Sequence, residues 1–157
     1  MVNLAAIGQG DLLGVLYGQV LVPPAVQGEF ATLRQREPRF ASAVLPACVR
    51  VQPLSANAAL HRATLALLLD DGEAEALALA LDLRADLVLV DERAGNRVAH
   101  RLNLRPLGLI GVLIEGKAKG HLPAVAPLLD RLEHEAKFWM SPRIRAQALQ
   151  AAGEPAA

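Results

Sequence analysis

The stretch LDDGEAEALALALDLRADLVLVDERAGNRVAH, residues 69–100, decides the fold because it joins a helix to a strand and the strand to a second helix. Its middle, DLVLV at 86–90, is almost continuously apolar, which is typical of a strand covered on both faces. We predict a helix over 73–83 capped by Asp70 or Asp71, a strand over 86–90 and a helix over 92–101. The acid pair Asp91–Glu92 then falls at the end of the strand.

The rest of the chain repeats this alternation of short apolar strands and longer helices. Strands are predicted at 19–22, 49–52 and 105–107, and helices at 11–17, 24–36, 57–69, 109–119, 123–137 and 142–151. The alternation favours an α/β fold, in which helices cover both faces of a short parallel sheet. A length of 157 residues predicts one domain, over 1–152, followed by a disordered tail at 153–157.

Composition excludes several classes of protein. Lysine plus arginine and aspartate plus glutamate number 16 each, so any nucleic-acid contact has to come from a local basic patch. The single cysteine, Cys48, excludes an internal disulfide framework, and no signal-peptide pattern or long apolar run is found. We therefore expect a cytoplasmic protein with no membrane contact. The histidines lack metal-site spacing, and the motifs GxSxG and GxxxxGK[ST] do not occur.

Three carboxylates from separate segments are expected to converge at one edge of the sheet. Asp91 ends the strand 86–90, Glu73 opens the antiparallel helix before it, and Glu29 lies in the helix after strand 19–22. Nearby carboxylates repel one another unless a cation neutralises them, and such oxygen ligands suit Mg²⁺ or Mn²⁺. Taken singly, each acid also has a structural explanation, as a helix-dipole partner, an N-cap or a surface acid. Only their joint placement favours a metal site.

Two further side chains have structural interpretations that compete with functional ones. Glu75 is interpreted as a solvated or helix-pairing acid. Trp139, beside Phe138, is interpreted as an aromatic anchor for the last helix, with stacking on a nucleic-acid base as the alternative.

Four blocks of the chain, in order, resemble a subgroup of the PIN-domain family. They are NLAAIGQGDLLGVLYGQVLVPPAVQGEF (3–30), LDDGEAEALALALDLRADLVLVDERAGNRVA (69–99), GLIGVLIEGKAKGHLPAVAPLLDRL (108–132) and RIRAQALQAAGE (143–154). The second block is similar to the subgroup pattern LDxGEAEAIALA…LLIDDxxGRxxA. The resemblance implies a three-layer α/β/α sandwich of Rossmann-like type.

The resemblance also implies a function, that of a Mg²⁺- or Mn²⁺-dependent ribonuclease and toxin of a type II toxin–antitoxin pair. The implied partners are RNA, a small antitoxin protein and a second copy of the chain. The implied catalytic and metal-holding acids are Glu29, Glu73 and Asp91, with Glu92 assisting. The resemblance places Lys117 on a family lysine that faces phosphate, with a solvated helix face as the alternative. Arg93 and Arg97 are the predicted substrate contacts that, with Arg101 as an alternative, replace the charge of a family arginine.

The sequence departs from the family pattern at two places. The family opens with DSSxLINLA, and only its end is matched here, by residues 1–5. We therefore expect the first central strand and its Asp to be missing, either because the sequence starts late or because the protein is degenerate. In the second case it is a non-catalytic partner that binds protein or nucleic acid. Asn96 also stands where the subgroup usually has arginine.

Overall fold

The structure, a computed structural model, describes residues 1–155 and has the α/β class that the sequence predicts. The helices of these residues are α1 (Val2–Ala6), α2 (Leu12–Tyr17), α3 (Pro24–Arg36), α4 (Ala56–Leu65), α5 (Asp71–Asp82), α6 (Arg93–Arg101), α7 (Leu109–Ala118), α8 (Ala126–His134) and α9 (Pro142–Ala151). The strands are β1 (Val20–Val22), β2 (Val49–Val51), β3 (Val88–Leu89) and β4 (Pro106–Leu107), and a 3₁₀ turn covers Pro38–Phe40.

The described strands form two pairs, β1 with β2 and β3 with β4. The β3–β4 pair is parallel, with Val88 opposite Pro106 and Leu89 opposite Leu107. The observed strand β3 is therefore shorter than the apolar run at 86–90 on which the prediction rests. Its partner β4 has only two residues, and one of them is a proline, which has no N–H to donate to the ladder. Beyond the ladder, the Val90 N–H still donates to the Leu107 carbonyl at 3.1 Å.

The chain divides into two compact units. The first unit comprises Met1–Val20, Arg34–Cys48 and the chain from Leu109 onward, and the second comprises Leu21–Leu33 and Val49–Gly108. In the second unit α4 packs against α5, and alanines allow this close approach. The buried core of the second unit consists of Ala58, Leu65, Ala74, Leu77, Ala78, Ala80, Val88, Val90 and Ala99. The middle of α5 is buried on all sides at 77–80, whereas Asp70 and Asp71 at its start are exposed and Glu73 is half-buried.

The first unit has its own core, which leucine and valine fill. Its largest fully buried side chains include Leu4, Ile7, Leu13, Val112, Leu113, Val125, Leu129, Leu132 and Leu149. α8 is shorter than the predicted helix 123–137. It starts where the Glu154 carboxylate accepts the N–H groups of Val125 and Ala126, at 2.6 and 2.9 Å, and it ends before Lys137, whose φ of 54° is left-handed.

The predicted tail at 153–157 lies partly within the described residues. The Glu154 N–H donates to the Leu149 carbonyl at 2.8 Å, so the chain stays attached to α9 as far as this residue. Residues 156–157 lie outside the described residues. Within residues 1–155, no helix combines the length and apolar character needed to cross a bilayer.

Candidate metal centre

The first turn of α5 brings two carboxylates together through ordinary helix capping. Asp70 is the N-cap, with extended backbone angles, and its Oδ1 accepts the N–H of Glu73 at 2.8 Å. A capping residue and the third residue of the helix necessarily lie on the same side of the first turn. The local sequence therefore sets Asp70 and Glu73 side by side at the surface of the second unit.

The segment after β3 contributes a third carboxylate, that of Glu92. Glu92 is the N-cap residue of α6, but its side chain makes no capping hydrogen bond. One carboxylate oxygen from each of Asp70, Glu73 and Glu92 lies within 4.8 Å of the other two. We call these three residues the acidic cluster. They belong to two helix starts that a parallel-strand unit brings to the same edge.

No cation of the described residues forms an ion pair with the acidic cluster. The pKa of Glu73 is raised to about 7, first by burial and then by the negative charges of Glu92, Asp70 and Glu29. A group of oxygen donors that is crowded, negatively charged and uncompensated fits Mg²⁺ or Mn²⁺. A bound cation would reverse the repulsion that raises this pKa.

Glu29 flanks the acidic cluster from α3. Its carboxyl lies so close to Gly72, in the first turn of α5, that a Cβ built there would be 2.6 Å from Oε2. The pKa of Glu29 is raised, first by burial and then by Asp70, while a hydrogen bond from the Gly72 backbone opposes the shift. Glu29 therefore shares the electrostatic environment of the acidic cluster without being one of its three members.

A glycine of α6 accounts for the position of Glu73. A Cβ at Gly95 would be 2.7 Å from Val90 Cγ1 and 2.8 Å from the Glu73 carboxyl carbon. Glycine inside a helix usually destabilises it by about 0.5–1 kcal/mol relative to alanine. Here the missing side chain lets the Glu73 carboxyl lie between α6 and the end of the buried strand, next to Val90.

Asp91 follows the buried strand directly and precedes Glu92 in the chain. Its Oδ1 lies 3.2 Å from the place of a Cβ on Gly108, the residue that precedes α7. The neighbouring Glu92, which the sequence predicts as an assisting acid, is a member of the acidic cluster. Of the three predicted catalytic acids, the structure thus places Glu73 in the cluster, Glu29 beside it, and Asp91 against Gly108.

A family model described as PIN domain matches residues 1–154. The chain belongs to the PIN-domain family. PIN domains are nucleases that generally use a divalent metal ion, and the family assignment drawn from the four sequence blocks is confirmed. Comparisons with curated proteins and with solved structures gave no match.

The predicted substrate contacts of this PIN domain have different environments. Arg93 and Arg97 are exposed, one turn apart on α6, and the described residues offer neither of them an ion pair. Lys117, in the first unit, is bound by the Glu154 carboxylate at 2.7 Å. Arg93 and Arg97 are therefore open to a phosphate, whereas Lys117 already has an anionic partner.

Sequence reasoning missed two acids of this PIN domain. The sequence predicts Asp70 only as a possible cap of α5. Its spacing of three residues from Glu73 indicates that the two carboxylates lie together, and they do. Glu75 was interpreted as solvated or helix-pairing, but its Oε2 accepts the N–H of Ala25 at 3.0 Å. The local sequence does not predict the contact between Glu75 and Ala25, because the two residues are 50 positions apart in the chain.

The interpretation of Trp139 as an anchor for the last helix is wrong. Its side chain is 79% exposed, although the adjacent Met140 is buried at 6%. The N-terminus of α9 is fixed instead by the Ser141 hydroxyl, which accepts the Ile144 N–H at 3.2 Å. This cap, followed by proline in the first turn, is the one that the sequence predicts.

Proposed function

We propose that this PIN domain is a Mg²⁺- or Mn²⁺-dependent endoribonuclease and the toxin of a type II toxin–antitoxin pair. The observation that carries the proposal is the acidic cluster, three converging carboxylates without a cationic partner among the described residues. Its central member, Glu73, has a pKa of about 7, which is the electrostatic signature of a site that gains from binding a cation.

The acids of the site have two roles, which are to hold the cation and to orient the attacking water. Asp70, Glu73 and Glu92 would hold the metal ion, since each offers a carboxylate oxygen to a common point. A bound divalent cation supplies Lewis acidity at the phosphodiester and favours ionisation of a water molecule. Glu29, held against Gly72 beside the cluster, orients the attacking water by accepting a hydrogen bond. Asp91, which precedes Glu92 in the chain, is a further candidate to hold the metal ion.

The exposed arginines of α6 suit an RNA backbone. Glu92 is the N-cap of α6, so Arg93, the first residue of the helix, is adjacent to a member of the acidic cluster, and Arg97 lies one turn, about 6 Å, farther along the helix axis. Two unpaired guanidinium groups at this spacing bind phosphate oxygens and fix the strand without reading its bases. They also offset the repulsion between the acids and a polyanionic substrate.

Exposed leucines support the proposal of a protein partner. Leu60, Leu67 and Leu68, in and after α4, are 72%, 82% and 65% exposed. Several large apolar side chains exposed in one short segment are typical of interaction sites. The family resemblance implies that this partner is an antitoxin or a second copy of the chain, in the cytoplasm.

Lys117 has a structural role, because its ammonium binds the Glu154 carboxylate.

RNA cleavage by the purified chain tests this function. We expect cleavage with Mn²⁺ or Mg²⁺ that stops with EDTA and falls by at least about 100-fold in Glu73→Gln, since loss of a metal-holding charge removes a large part of the stabilisation. Asp71→Asn is the matched control, because Asp71 lies in the same turn but binds Arg62 at 2.6 Å and is 72% exposed.

The outcomes separate the enzyme from its alternative. Cleavage that persists in Glu73→Gln contradicts the proposed centre and indicates a contaminating nuclease. Metal binding without cleavage by the wild type rejects the ribonuclease and favours the non-catalytic binding protein. A cognate antitoxin is expected to abolish cleavage when it is present in equimolar amount.

A further inference from the structure

The helix that carries Glu29 begins without a cap of its own. α3 starts at Pro24, directly after Pro23, and neither proline has an N–H. The Ala25 N–H is therefore the first amide donor of the helix, and helix geometry gives it no partner within α3. The Gln27 N–H, by contrast, donates to the Pro23 carbonyl at 3.2 Å.

Glu75 of α5 supplies the missing partner. Its Oε2 accepts the Ala25 N–H at 3.0 Å and so satisfies the first amide donor of α3. Glu75 is partly buried and is not a member of the acidic cluster. Glu75, which the sequence predicts to be solvated or helix-pairing, thus joins two helices of the second unit.

This contact is one of two between the same helix faces. Ala25 and Glu29 are four residues apart on α3, and Gly72 and Glu75 are three apart on α5, so each pair shares a face. Ala25 meets Glu75, and the Glu29 carboxyl meets Gly72. Two contacts about one turn apart fix both the rotation and the axial position of α3 against α5.

We propose that Glu75 is a positioning residue that holds α3 in register and so places the Glu29 carboxylate beside the acidic cluster. Its effect on activity rests on the proposed function, whereas its effect on α3 does not. Glu75 acts through an accepted hydrogen bond rather than through its charge, so an amide oxygen at the same place performs the same task.

Glu75→Ala and Glu75→Gln test this role against a matched control. Asp82→Ala is the control, since Asp82 lies at the other end of α5 and accepts hydrogen bonds from Ser55 and Asn57 at 2.7 and 2.9 Å. In Glu75→Ala we expect faster exchange of the Ala25 amide and a shifted Gly72 amide resonance in NMR spectra. Glu75→Gln should restore both signals, and Asp82→Ala should leave both unchanged.

Kinetics give the second readout. Glu75→Ala should lower kcat for RNA cleavage by about tenfold or more with KM nearly unchanged, because a displaced Glu29 affects the reacting groups rather than substrate binding. Glu75→Gln should recover most of kcat. In a Glu29→Gln background, Glu75→Ala should cause no further loss, since its effect passes through Glu29.

Two results overturn the positioning role. One is a Glu75→Gln variant as impaired as Glu75→Ala, which would assign the function to the charge of Glu75. The other is unchanged Ala25 and Gly72 amides in Glu75→Ala. A wild type that cleaves no RNA and binds no Mn²⁺ rejects the proposed function, and the amide signals still decide whether Glu75 holds α3.

Discussion

The carboxyl group of Glu29 occupies the space that a side chain on Gly72 would need, with Oε2 only 2.6 Å from an ideal Cβ position. The same relationship recurs at the other two acids that the sequence singles out. The glycine–acid pairs are Gly72 with Glu29, Gly95 with Glu73, and Gly108 with Asp91. Each carboxyl is positioned by the absence of a side chain on a neighbouring segment, so these glycines are part of the site.

Replacement of Gly72 by alanine should therefore damage function more than folding. The new methyl group meets the end of a flexible side chain, so we expect Glu29 to move while α5 keeps its fold. RNA cleavage should fall by about tenfold to 100-fold, the size that a displacement of about 1 Å produces. The melting temperature, followed by circular dichroism, should change by only a few degrees.

Gly28→Ala is the matched control for that variant. Gly28 lies next to Glu29 on α3, and a Cβ there would meet nothing within 4 Å. Alanine should stabilise the helix by about 0.5–1 kcal/mol and leave cleavage unchanged. Equal losses of cleavage in the two variants would show that the close approach at Gly72 has no functional role.

The pKa of Glu73 predicts how stability depends on pH. Its value of about 7 in the folded protein exceeds the ordinary 4.5, so the folded state keeps a proton that the unfolded chain releases between these values. The stabilising contribution is complete below pH about 4.5 and is lost as pH rises through about 7. Glu73→Gln should therefore be more stable than the wild type at pH 8, by about 1 kcal/mol after allowance for solvent screening, and show little difference at pH 4.5.

Urea unfolding at the two pH values measures this difference. Addition of Mg²⁺ or Mn²⁺ at pH 8 should raise the free energy of unfolding of the wild type and not that of Glu73→Gln. A variant that is less stable than the wild type at pH 8 without metal would contradict the repulsion inferred at the acidic cluster.

The arginines of α6 should contribute to RNA binding through phosphate contacts alone. Arg93→Ala and Arg97→Ala should each weaken binding to single-stranded RNA of any sequence. Each should also reduce the slope of log K against log salt concentration by about 0.7, the value for one phosphate contact on a single strand. Fluorescence anisotropy over a range of salt concentrations measures both effects.

Arg105→Ala is the control for these two variants. Arg105 is exposed and precedes β4, so it lies at the opposite end of the parallel strands from the acids. Its replacement should leave the salt slope unchanged. A reduction in slope equal to that of Arg93→Ala would mean that binding is spread over the surface of the second unit.

Glu154 should be a main source of stability in the first unit. Its carboxylate accepts hydrogen bonds from the Lys117 ammonium and from the N–H groups of Val125 and Ala126. These bonds, of which the one from Lys117 has the largest effect, lower the pKa of Glu154 to about 2. The stabilising contribution is present above the ordinary value of 4.5 and is lost as pH falls through about 2. Glu154→Ala should lower the free energy of unfolding at pH 7 by about 1–3 kcal/mol.

A surface ion pair provides the comparison. Glu135 binds Arg131 at 2.7 Å at the exposed surface, where solvent screens the pair, so Glu135→Ala should destabilise the protein much less than Glu154→Ala. If Glu154→Ala is no more destabilising than Glu135→Ala in thermal and urea unfolding, Glu154 does not hold the start of α8.

Features governed by local rules were predictable from sequence. The bounds of α3 and α9 agree with the predicted helices 24–36 and 142–151, because prolines mark the first turn of both. Asp70 was correctly expected as one of two possible caps. Glu73 is expected at one edge of the sheet together with Asp91 and Glu29, because helix–strand alternation brings helix starts and strand ends together. The structure places Glu92, the assisting acid, next to Glu73.

Features governed by distant partners were not predictable. The length of β3 depends on its two-residue partner strand β4. The hydrogen bond of the Glu75 carboxylate depends on the Ala25 N–H, which lies 50 residues away in the chain. The close approaches of Glu73 to Gly95 and of Asp91 to Gly108 join segments whose contacts the sequence does not reveal.

Anomalous diffraction from crystals grown with Mn²⁺ tests the central claim most directly, because it locates the cation without reference to activity. We predict a Mn²⁺ peak at the acidic cluster, about 2.1 Å from carboxylate oxygens of Asp70, Glu73 and Glu92, with Glu29 beside it. The peak should be absent from Glu73→Gln crystals and present in Asp71→Asn crystals. Saturating Mn²⁺ that gives no peak there, or a peak only at distant acids such as Asp82, would contradict a metal-dependent nuclease centre at this site.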